Sequence, residues 1–225
     1  MTEKKLEERK KKARRLVDAL KKVCPDAGMT LHFRTNWELL VAVMLSAQCT
    51  DKKVNEVTRR LFSAKGGPAS GGKKFRTIDD FVNARQEHLE KIIKPCGFYH
   101  TKARNIKKSA RIIQETYNGR VPKTMEELVT LPGVARKTAN VVLGNAYGVI
   151  SGIAVDTHVM RLSRRFGLTN KKTPEQIERD LMEIIPQKEW FHLTSLFIEY
   201  GRRYCPARGC PREHPLWRFD LSSGS

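Results

Sequence analysis

The segment from Trp37 to Leu45 restricts the fold of this chain more than any other. It reads WELLVAVML and is almost wholly apolar. It is too long for a comfortable strand, and a helix that is apolar on every side has to be buried. We therefore predict a central buried helix with Asn36 as its N-cap. No stretch of the chain alternates Val, Ile and Thr over several residues, which indicates essentially no sheet. The predicted fold class is all-α.

A second feature is the turn Leu131-Pro132-Gly133, where two helical patterns meet. Thr124 is a predicted cap for the short first helix, and the proline and glycine end that helix and reverse the chain. The second helix is predicted from Val134 to Tyr147. Backbone amides at the N-terminus of this helix would lack intrahelical partners and lie at the positive end of the helix dipole. Such a group of amides can bind an anion. These amides belong to Gly133, Val134 and Ala135.

Two side chains near this turn could carry chemistry. Lys137 lies one turn into the second helix, where its ammonium could bind a phosphate or its free amine could attack a sugar carbon. Asp156 precedes another amphipathic segment, and it could cap that helix or take part in a reaction. A solvated lysine and an ordinary N-cap are the plain alternatives at these two positions.

The charge of the chain predicts a polyanionic partner. The 225 residues include 43 Lys+Arg and 24 Asp+Glu, a net charge of +19, and nucleic acid is the first candidate. A ribosome-associated or membrane-surface protein would also be basic, but no window approaches the run of about twenty apolar residues that spans a membrane. Because the N-terminus has no secretory signal and the five cysteines are an odd number, we expect a cytoplasmic protein with reduced thiols, nucleoid-associated if prokaryotic.

The strings LPGVARKTANVVL and AVDTHVMRL resemble the helix-hairpin-helix and the catalytic aspartate of the endonuclease III family of DNA glycosylases, and the resemblance extends from about Leu31 to Tyr204. It implies that Lys137 attacks the anomeric carbon of a damaged nucleotide while Asp156 assists. Mismatch-specific relatives carry a different residue at the lysine position. The expected enzyme is therefore bifunctional: it removes oxidised pyrimidines through a lysine Schiff base and nicks the strand by β-elimination, as a DNA glycosylase and AP lyase.

The resemblance also implies which residues bind DNA. Gln48 would enter the gap left by a flipped nucleotide, where its amide can bond to the widowed base. Phe98 would push between bases as an apolar wedge, with packing in the core as the alternative. The implied DNA-binding residues are Gln48, Phe98, His100, Gly133, Val134 and Ala135.

The family fold consists of two helical lobes with the active site between them. By this resemblance, residues 29–148 form a six-helix lobe with the hairpin, and residues 1–28 join residues 149–225 in a second lobe. The glycine-rich segment from Ser63 to Lys74 is predicted to be a flexible loop. We expect a monomer that acts on double-stranded DNA with a damaged base or an abasic site.

The C-terminal cysteines depart from the family pattern. Many members end in four cysteines, spaced C-x6-C-x2-C-x5-C, that hold a [4Fe-4S] cluster. Only Cys205 and Cys210 remain here, so we expect no cluster, no metal and no cofactor. A zinc site of Cys205, Cys210 and His214 is the alternative, which three imperfectly spaced ligands disfavour.

Two other functions are compatible with the same residues. A monofunctional mismatch glycosylase would release a base without forming an imine. A non-catalytic helix-hairpin-helix module would bind DNA through phosphate contacts, with steep salt dependence and no covalent intermediate.

Overall fold

The computed structural model describes residues 3–63 and 75–220, and every regular element within these ranges is helical. The α-helices of the first half are α1 (Glu3–Val23), α2 (Asn36–Ser46), α3 (Asp51–Leu61), α4 (Ile78–Val82), α5 (Gln86–Ile93) and α6 (Tyr99–Thr116). Those of the second half are α7 (Met125–Leu128), α8 (Arg136–Tyr147), α9 (Thr157–Arg165), α10 (Pro174–Ile184) and α11 (Gln187–Arg203). Short 3-10 helices cover Lys94–Cys96 and Trp217–Phe219. The prediction of an all-α fold is confirmed.

Two observations concern the limits of these elements. The predicted loop from Ser63 to Lys74 lies outside the described residues, apart from Ser63 itself. No helix within the described ranges has the length and apolar character needed to cross a membrane.

The chain divides into two compact units. The central unit is Thr30–Val149, and the terminal unit combines Met1–Met29 with Ile150–Ser225. Each unit has its own buried apolar cluster.

The core of the central unit is built around α2. Every residue of α2 from Trp37 to Leu45 is buried, and the helix packs against α3, α6 and α8. The prediction of a buried helix here is therefore confirmed. The predicted cap was wrong by one position, because Asn36 is the first helical residue. Thr35 has the extended backbone of an N-cap, and its hydroxyl accepts a hydrogen bond from the Glu38 amide at 3.1 Å.

The core of the terminal unit contains α1, α9, α10 and α11. The apolar stripe of α1, which includes Leu16 and Leu20, is buried against α10 and α11. Arg9 of α1 also donates to Asp180 Oδ1 at 2.7 Å and to the Leu168 carbonyl at 2.9 Å. The N-terminal helix is thus fixed to its unit by apolar packing and by an ion pair.

Candidate functional site

The predicted hairpin is present between α7 and α8 in the central unit. Thr124 caps α7, since its hydroxyl accepts from the Glu127 amide at 3.3 Å. Gly133 reverses the chain with φ +81°, in the left-handed region that favours glycine. A Cβ added at Gly133 would lie only 2.8 Å from Nδ2 of Asn105 on α6. The turn therefore needs glycine both for its backbone angle and for its close approach to α6.

The amides at this turn differ from the prediction at one position. The Val134 amide donates to the Leu131 carbonyl at 3.0 Å, and the Val134 side chain is buried. The prediction that this amide points outward was wrong, because the turn itself uses it and α8 begins only at Arg136. Among the described residues, the amides of Gly133 and Ala135 have no acceptor, so they remain the candidate anion donors of the hairpin.

Replacing Gly133 with alanine should destabilise the chain more than the same change at Gly148. Both glycines have positive φ, +81° and +65°, so both variants incur the left-handed penalty of about 1–2 kcal/mol. Only Gly133 has a neighbour within 4 Å of the added Cβ, and overpacking should add about 1–3 kcal/mol there. Urea denaturation measures the difference between the two variants. Equal losses of stability would show that the contact with Asn105 has no role.

Lys137 is the second residue of α8 and is exposed. Within residues 3–63 and 75–220 its ammonium has no ion pair and no hydrogen bond. It follows the hairpin directly, at the positive end of the helix dipole. An amine in this place is available to a ligand that reaches the hairpin.

Asp156 is the N-cap of α9 in the terminal unit. Its Oδ1 accepts a hydrogen bond from the Val159 amide at 2.8 Å, and the residue is half-buried. Asp156 therefore does cap the helix, as the plain alternative for this residue predicts. The second oxygen, Oδ2, has no partner in the part of the chain that the structure describes. One carboxylate oxygen holds the helix, and the other is available for chemistry.

Gln48 and Phe98 lie on two tight turns of the central unit. Both have left-handed backbones, with φ +53° at Gln48 and +46° at Phe98, although neither is glycine. The Gln48 side chain is exposed, and Phe98 is 66% exposed. The alternative that Phe98 packs in the core is thus excluded. A disfavoured backbone at exposed side chains is typical of a functional position.

His100 is also at the surface of the central unit, in the first turn of α6. Its Nδ1 lies 2.8 Å from Glu90 Oε2, and the His100 side chain remains 71% exposed. Hydrogen bonds from Gln86 and then from His100 lower the pKa of Glu90. The imidazole is therefore oriented by Glu90 while one edge of the ring faces solvent.

Sequence reasoning missed Lys102, which is buried on the same helix. Its position is spaced helically with the buried residues Ile106, Ala110 and Ile113. A lysine on an apolar stripe was the signal that could have identified it.

A cavity of about 570 Å³ within the terminal unit was also missed. Three arginines of α9, namely Arg161, Arg164 and Arg165, line it together with residues 206, 207 and 210 of the loop after α11. Burial and the neighbouring Arg165 lower the pKa of Arg161, while Asp156 acts in the opposite direction. The i, i+3, i+4 spacing of these arginines in the sequence predicts a shared face, which gives the cavity a positive lining.

Within residues 3–63 and 75–220, one group of possible metal ligands lies in the C-terminal segment. The ligand atoms of Cys205, Cys210 and His214 all lie within 4.8 Å of one another. Cys205 and Cys210, however, are joined by a disulfide. The expectation of reduced thiols was therefore wrong for this pair, whose Cα atoms are 4.4 Å apart in a tight loop.

Both ring nitrogens of His214 are already bonded. Nδ1 lies 2.5 Å from the Tyr200 hydroxyl, and Nε2 lies 3.1 Å from Asp220 Oδ2. Arg165 in turn pairs with Asp220 at 2.6 Å. Zinc would therefore need a reduced cysteine pair and a histidine released from one partner. The arrangement fits a buried polar network better than a metal site.

The sequence is similar to known repair proteins over most of its length. Residues 41–187 match the family described as HhH-GPD superfamily base excision DNA repair protein. The chain is 45% identical to the endonuclease III of Synechocystis sp. over 204 residues, which cover 91% of this chain and 89% of that protein. It is 42% identical to the endonuclease III of Bacillus subtilis over 203 residues, which cover 89% and 87% of the two chains.

The fold is also similar to a solved structure. That structure is described as a trapped endonuclease III-DNA covalent intermediate in an estranged-adenine complex. The TM-score is 0.80 at 44% sequence identity, and the match covers 88% of this chain and 89% of that one.

Proposed function

The chain belongs to the HhH-GPD superfamily and, within it, to the endonuclease III family, and we propose that Lys137 and Asp156 carry out its chemistry. It is a base excision repair enzyme, a DNA glycosylase with AP lyase activity. Oxidised pyrimidines in duplex DNA are the lesions proposed for it. The proposed acting unit is a single chain working on chromosomal DNA in the cytoplasm.

Lys137 is the proposed nucleophile. Its unprotonated amine attacks C1′ of the flipped nucleotide, and the base leaves with the electrons of the glycosidic bond. The carboxylate of Asp156 stabilises the positive charge that develops on the sugar ring. The sugar ring then opens as the C1′–O4′ bond breaks and O4′ takes a proton, and the protonated imine that results makes a C2′ hydrogen acidic. Loss of that proton expels the 3′ phosphate by β-elimination and nicks the strand.

The availability of Lys137 is the observation that carries this proposal. An amine committed to an ion pair would have to break that pair before it could attack. Lys137 is exposed beside the hairpin, and no partner binds its ammonium within the described ranges. Asp156 supports the proposal in a second way, because Oδ1 caps α9 while Oδ2 accepts no hydrogen bond from any residue that the structure describes.

DNA distortion is assigned to the two strained turns and the hairpin. Gln48 is proposed to hydrogen-bond to the base left unpaired when the damaged nucleotide flips out, and Phe98 is proposed to insert between bases next to it. The hairpin amides of Gly133 and Ala135 and the ring of His100 are proposed to contact the backbone. The net charge of +19 favours DNA of any sequence, so these contacts position the lesion rather than provide the bulk of the affinity.

A single-turnover assay tests the reaction type. The enzyme is incubated with a duplex that carries one thymine glycol, and base release and strand nicking are followed separately. The proposal predicts that both occur at matched rates. Base release without nicking would indicate a monofunctional glycosylase, and salt-sensitive binding without either product would indicate a binding module.

The C-terminal segment is proposed to fold without a [4Fe-4S] cluster. Such a cluster needs four thiolates, and this segment offers two, which are bonded to each other. Tyr200, His214 and Asp220 provide an alternative way to hold the loop. Burial raises the pKa of Tyr200 to about 12, so the hydroxyl keeps its proton at neutral pH; it lies 2.5 Å from His214 Nδ1 and accepts from the Leu216 amide at 3.1 Å.

Replacing Tyr200 with phenylalanine should therefore destabilise the chain by about 2–3 kcal/mol, since the buried His214 nitrogen and Leu216 amide would both lose a partner. The matched control is Tyr204→Phe, because the Tyr204 hydroxyl has no hydrogen bond within the described ranges; it should change stability by less than about 0.5 kcal/mol. Urea denaturation compares the two variants. An unchanged Tyr200→Phe variant, or stoichiometric iron in the purified protein, would contradict the proposed loop.

A further inference from the structure

The ammonium of Lys102 is buried inside the central unit, where three carbonyl oxygens surround it. Lys102 is 7% exposed. Its Nζ donates to the carbonyl oxygens of Leu45 at 2.9 Å, Ala47 at 2.7 Å and Cys96 at 2.8 Å. An ammonium has three hydrogens to donate, so each one has an acceptor.

These carbonyls belong to two separate turns. The carbonyl of Leu45 is in the last turn of α2, that of Ala47 is at the C-cap directly before Gln48, and that of Cys96 is two residues before Phe98. The backbone amide of Lys102 also donates to the Phe98 carbonyl at 3.0 Å. One residue therefore fixes the backbone that carries both exposed side chains.

Both turns need such a constraint. Gln48 and Phe98 have φ values of +53° and +46°, a conformation that a Cβ disfavours. Backbone of this kind persists only where the surrounding structure fixes it. The C-terminal end of α2 also leaves carbonyls without helical partners, at the negative end of the helix dipole, where a cation is favoured.

The neighbouring Cys96 thiol does not replace these carbonyls as a partner. Burial raises the pKa of the Cys96 thiol to about 12, so it is neutral at pH 7 and offers no negative charge. Burial also lowers the pKa of Lys102 itself. The ammonium is therefore held in position by its three hydrogen bonds to carbonyl oxygens. The same three bonds hold the backbones of the two turns in position.

We propose that Lys102 is a positioning residue for lesion extrusion, which holds the Gln48 turn and the Phe98 turn in one frame. The inference rests on the proposed function, in which these two side chains fill the gap in the duplex. Lys102 is buried and acts through them, without contacting DNA. Its loss should slow base release from a paired lesion and leave the chemistry of Lys137 intact.

A double-mutant cycle tests this role. Single-turnover base release from a duplex with thymine glycol opposite adenine is measured for wild type, Lys102→Met, Gln48→Ala and the double variant. Lys102→Met should slow release about 10²-fold, the loss expected from a misplacement of about 1 Å. Gln48→Ala should cost about tenfold or more in the wild type but less than about twofold in the Lys102→Met background. A cycle with Phe98→Ala should behave in the same way.

Losses that multiply in both cycles would overturn the proposal, because a merely structural lysine would weaken every variant alike. Lys107→Met is the matched control, since Lys107 lies on the same helix and donates to one carbonyl, that of Ala84. It should change base release by less than about twofold. If Lys102→Met does not fold, Lys102→Gln, which keeps two donors, takes its place in the cycle. If neither folds, Lys102 supports the whole fold rather than the two turns, and the proposal is overturned.

The same experiment separates this inference from the proposed function. Wild-type enzyme that releases no base would overturn the function itself. Active wild type with fully active Gln48→Ala and Phe98→Ala variants would overturn the gap-filling role, and with it the inference. If wild type is active, the single variants are impaired and the effects are additive in both cycles, only the role of Lys102 is overturned and the proposed function stands.

Discussion

Strand nicking at an abasic site should be lost when Lys137 is replaced with alanine. The single-turnover rate is expected to fall by at least about 10³-fold, or about 4 kcal/mol of activation free energy, because no imine can form without the amine. Lys137 is exposed and bonds to nothing in the described residues, so its removal should leave the fold unchanged. Gel analysis of a nicked, labelled duplex measures the rate, and urea denaturation checks the fold.

Two controls separate a nucleophile from a phosphate-binding cation. Lys137→Arg keeps the positive charge but cannot lose its proton at neutral pH, so it should nick as poorly as Lys137→Ala while binding DNA within about twofold of wild type. Lys91→Ala removes another exposed helical lysine, in the last turn of α5, and should be fully active. Nicking by Lys137→Arg at the wild-type rate would mean that the residue contributes only charge.

Base release should fall by about 10²–10³-fold when Asp156 is replaced with asparagine, because a neutral amide cannot stabilise the positive charge that develops on the sugar. The variant is informative because asparagine caps helices as well as aspartate does. The bond to the Val159 amide, 2.8 Å in the wild type, can be kept by the amide oxygen. Stability should therefore change by less than about 0.5 kcal/mol.

Asp156→Ala is the companion variant, because it removes both the charge and the cap. It should lose about 1 kcal/mol of stability and be at least as slow as Asp156→Asn in base release. Measuring rate and stability for both variants separates the two roles of the carboxylate. If Asp156→Asn released bases at the wild-type rate, Asp156 would be an N-cap and nothing more.

The helices could be predicted from the sequence because their apolar spacing and their caps are local signals. Thr124 caps a helix as its position before an apolar pattern indicates, and α2 lies where the apolar pattern places it. Their ends were less predictable. Thr35 and Asn36 are both good caps, and only the backbone angles, extended at Thr35, decide between them.

The side chains that face solvent were partly predictable too. Phe98 is exposed because Gly97 and the left-handed Phe98 backbone turn the chain before α6, and the sequence alone gave the core as an equal alternative. The Val134 amide shows the opposite case. Its acceptor, the Leu131 carbonyl, is set by the turn geometry, which residue types do not specify.

The roles of Lys102 and His214 depend on contacts between residues far apart in the chain. The acceptors of Lys102 include carbonyls 55 and 57 positions away. Every residue has a backbone carbonyl, so the residue types do not indicate which carbonyls accept these bonds. The spacing of Cys205, Cys210 and His214 in the sequence makes His214 a possible zinc ligand. Its ring is instead enclosed by Tyr200 and Asp220, which only the packing of the terminal unit brings together.

The most direct test of the account is to identify the residue that becomes covalently attached to DNA. The enzyme is mixed with a duplex that carries one abasic site, reduced with borohydride, digested with protease and nuclease, and analysed by mass spectrometry. The account predicts a reduced sugar adduct on Lys137 and on no other residue. An adduct on another amine, or efficient nicking with no adduct at all, would contradict the assignment of Lys137 as the nucleophile.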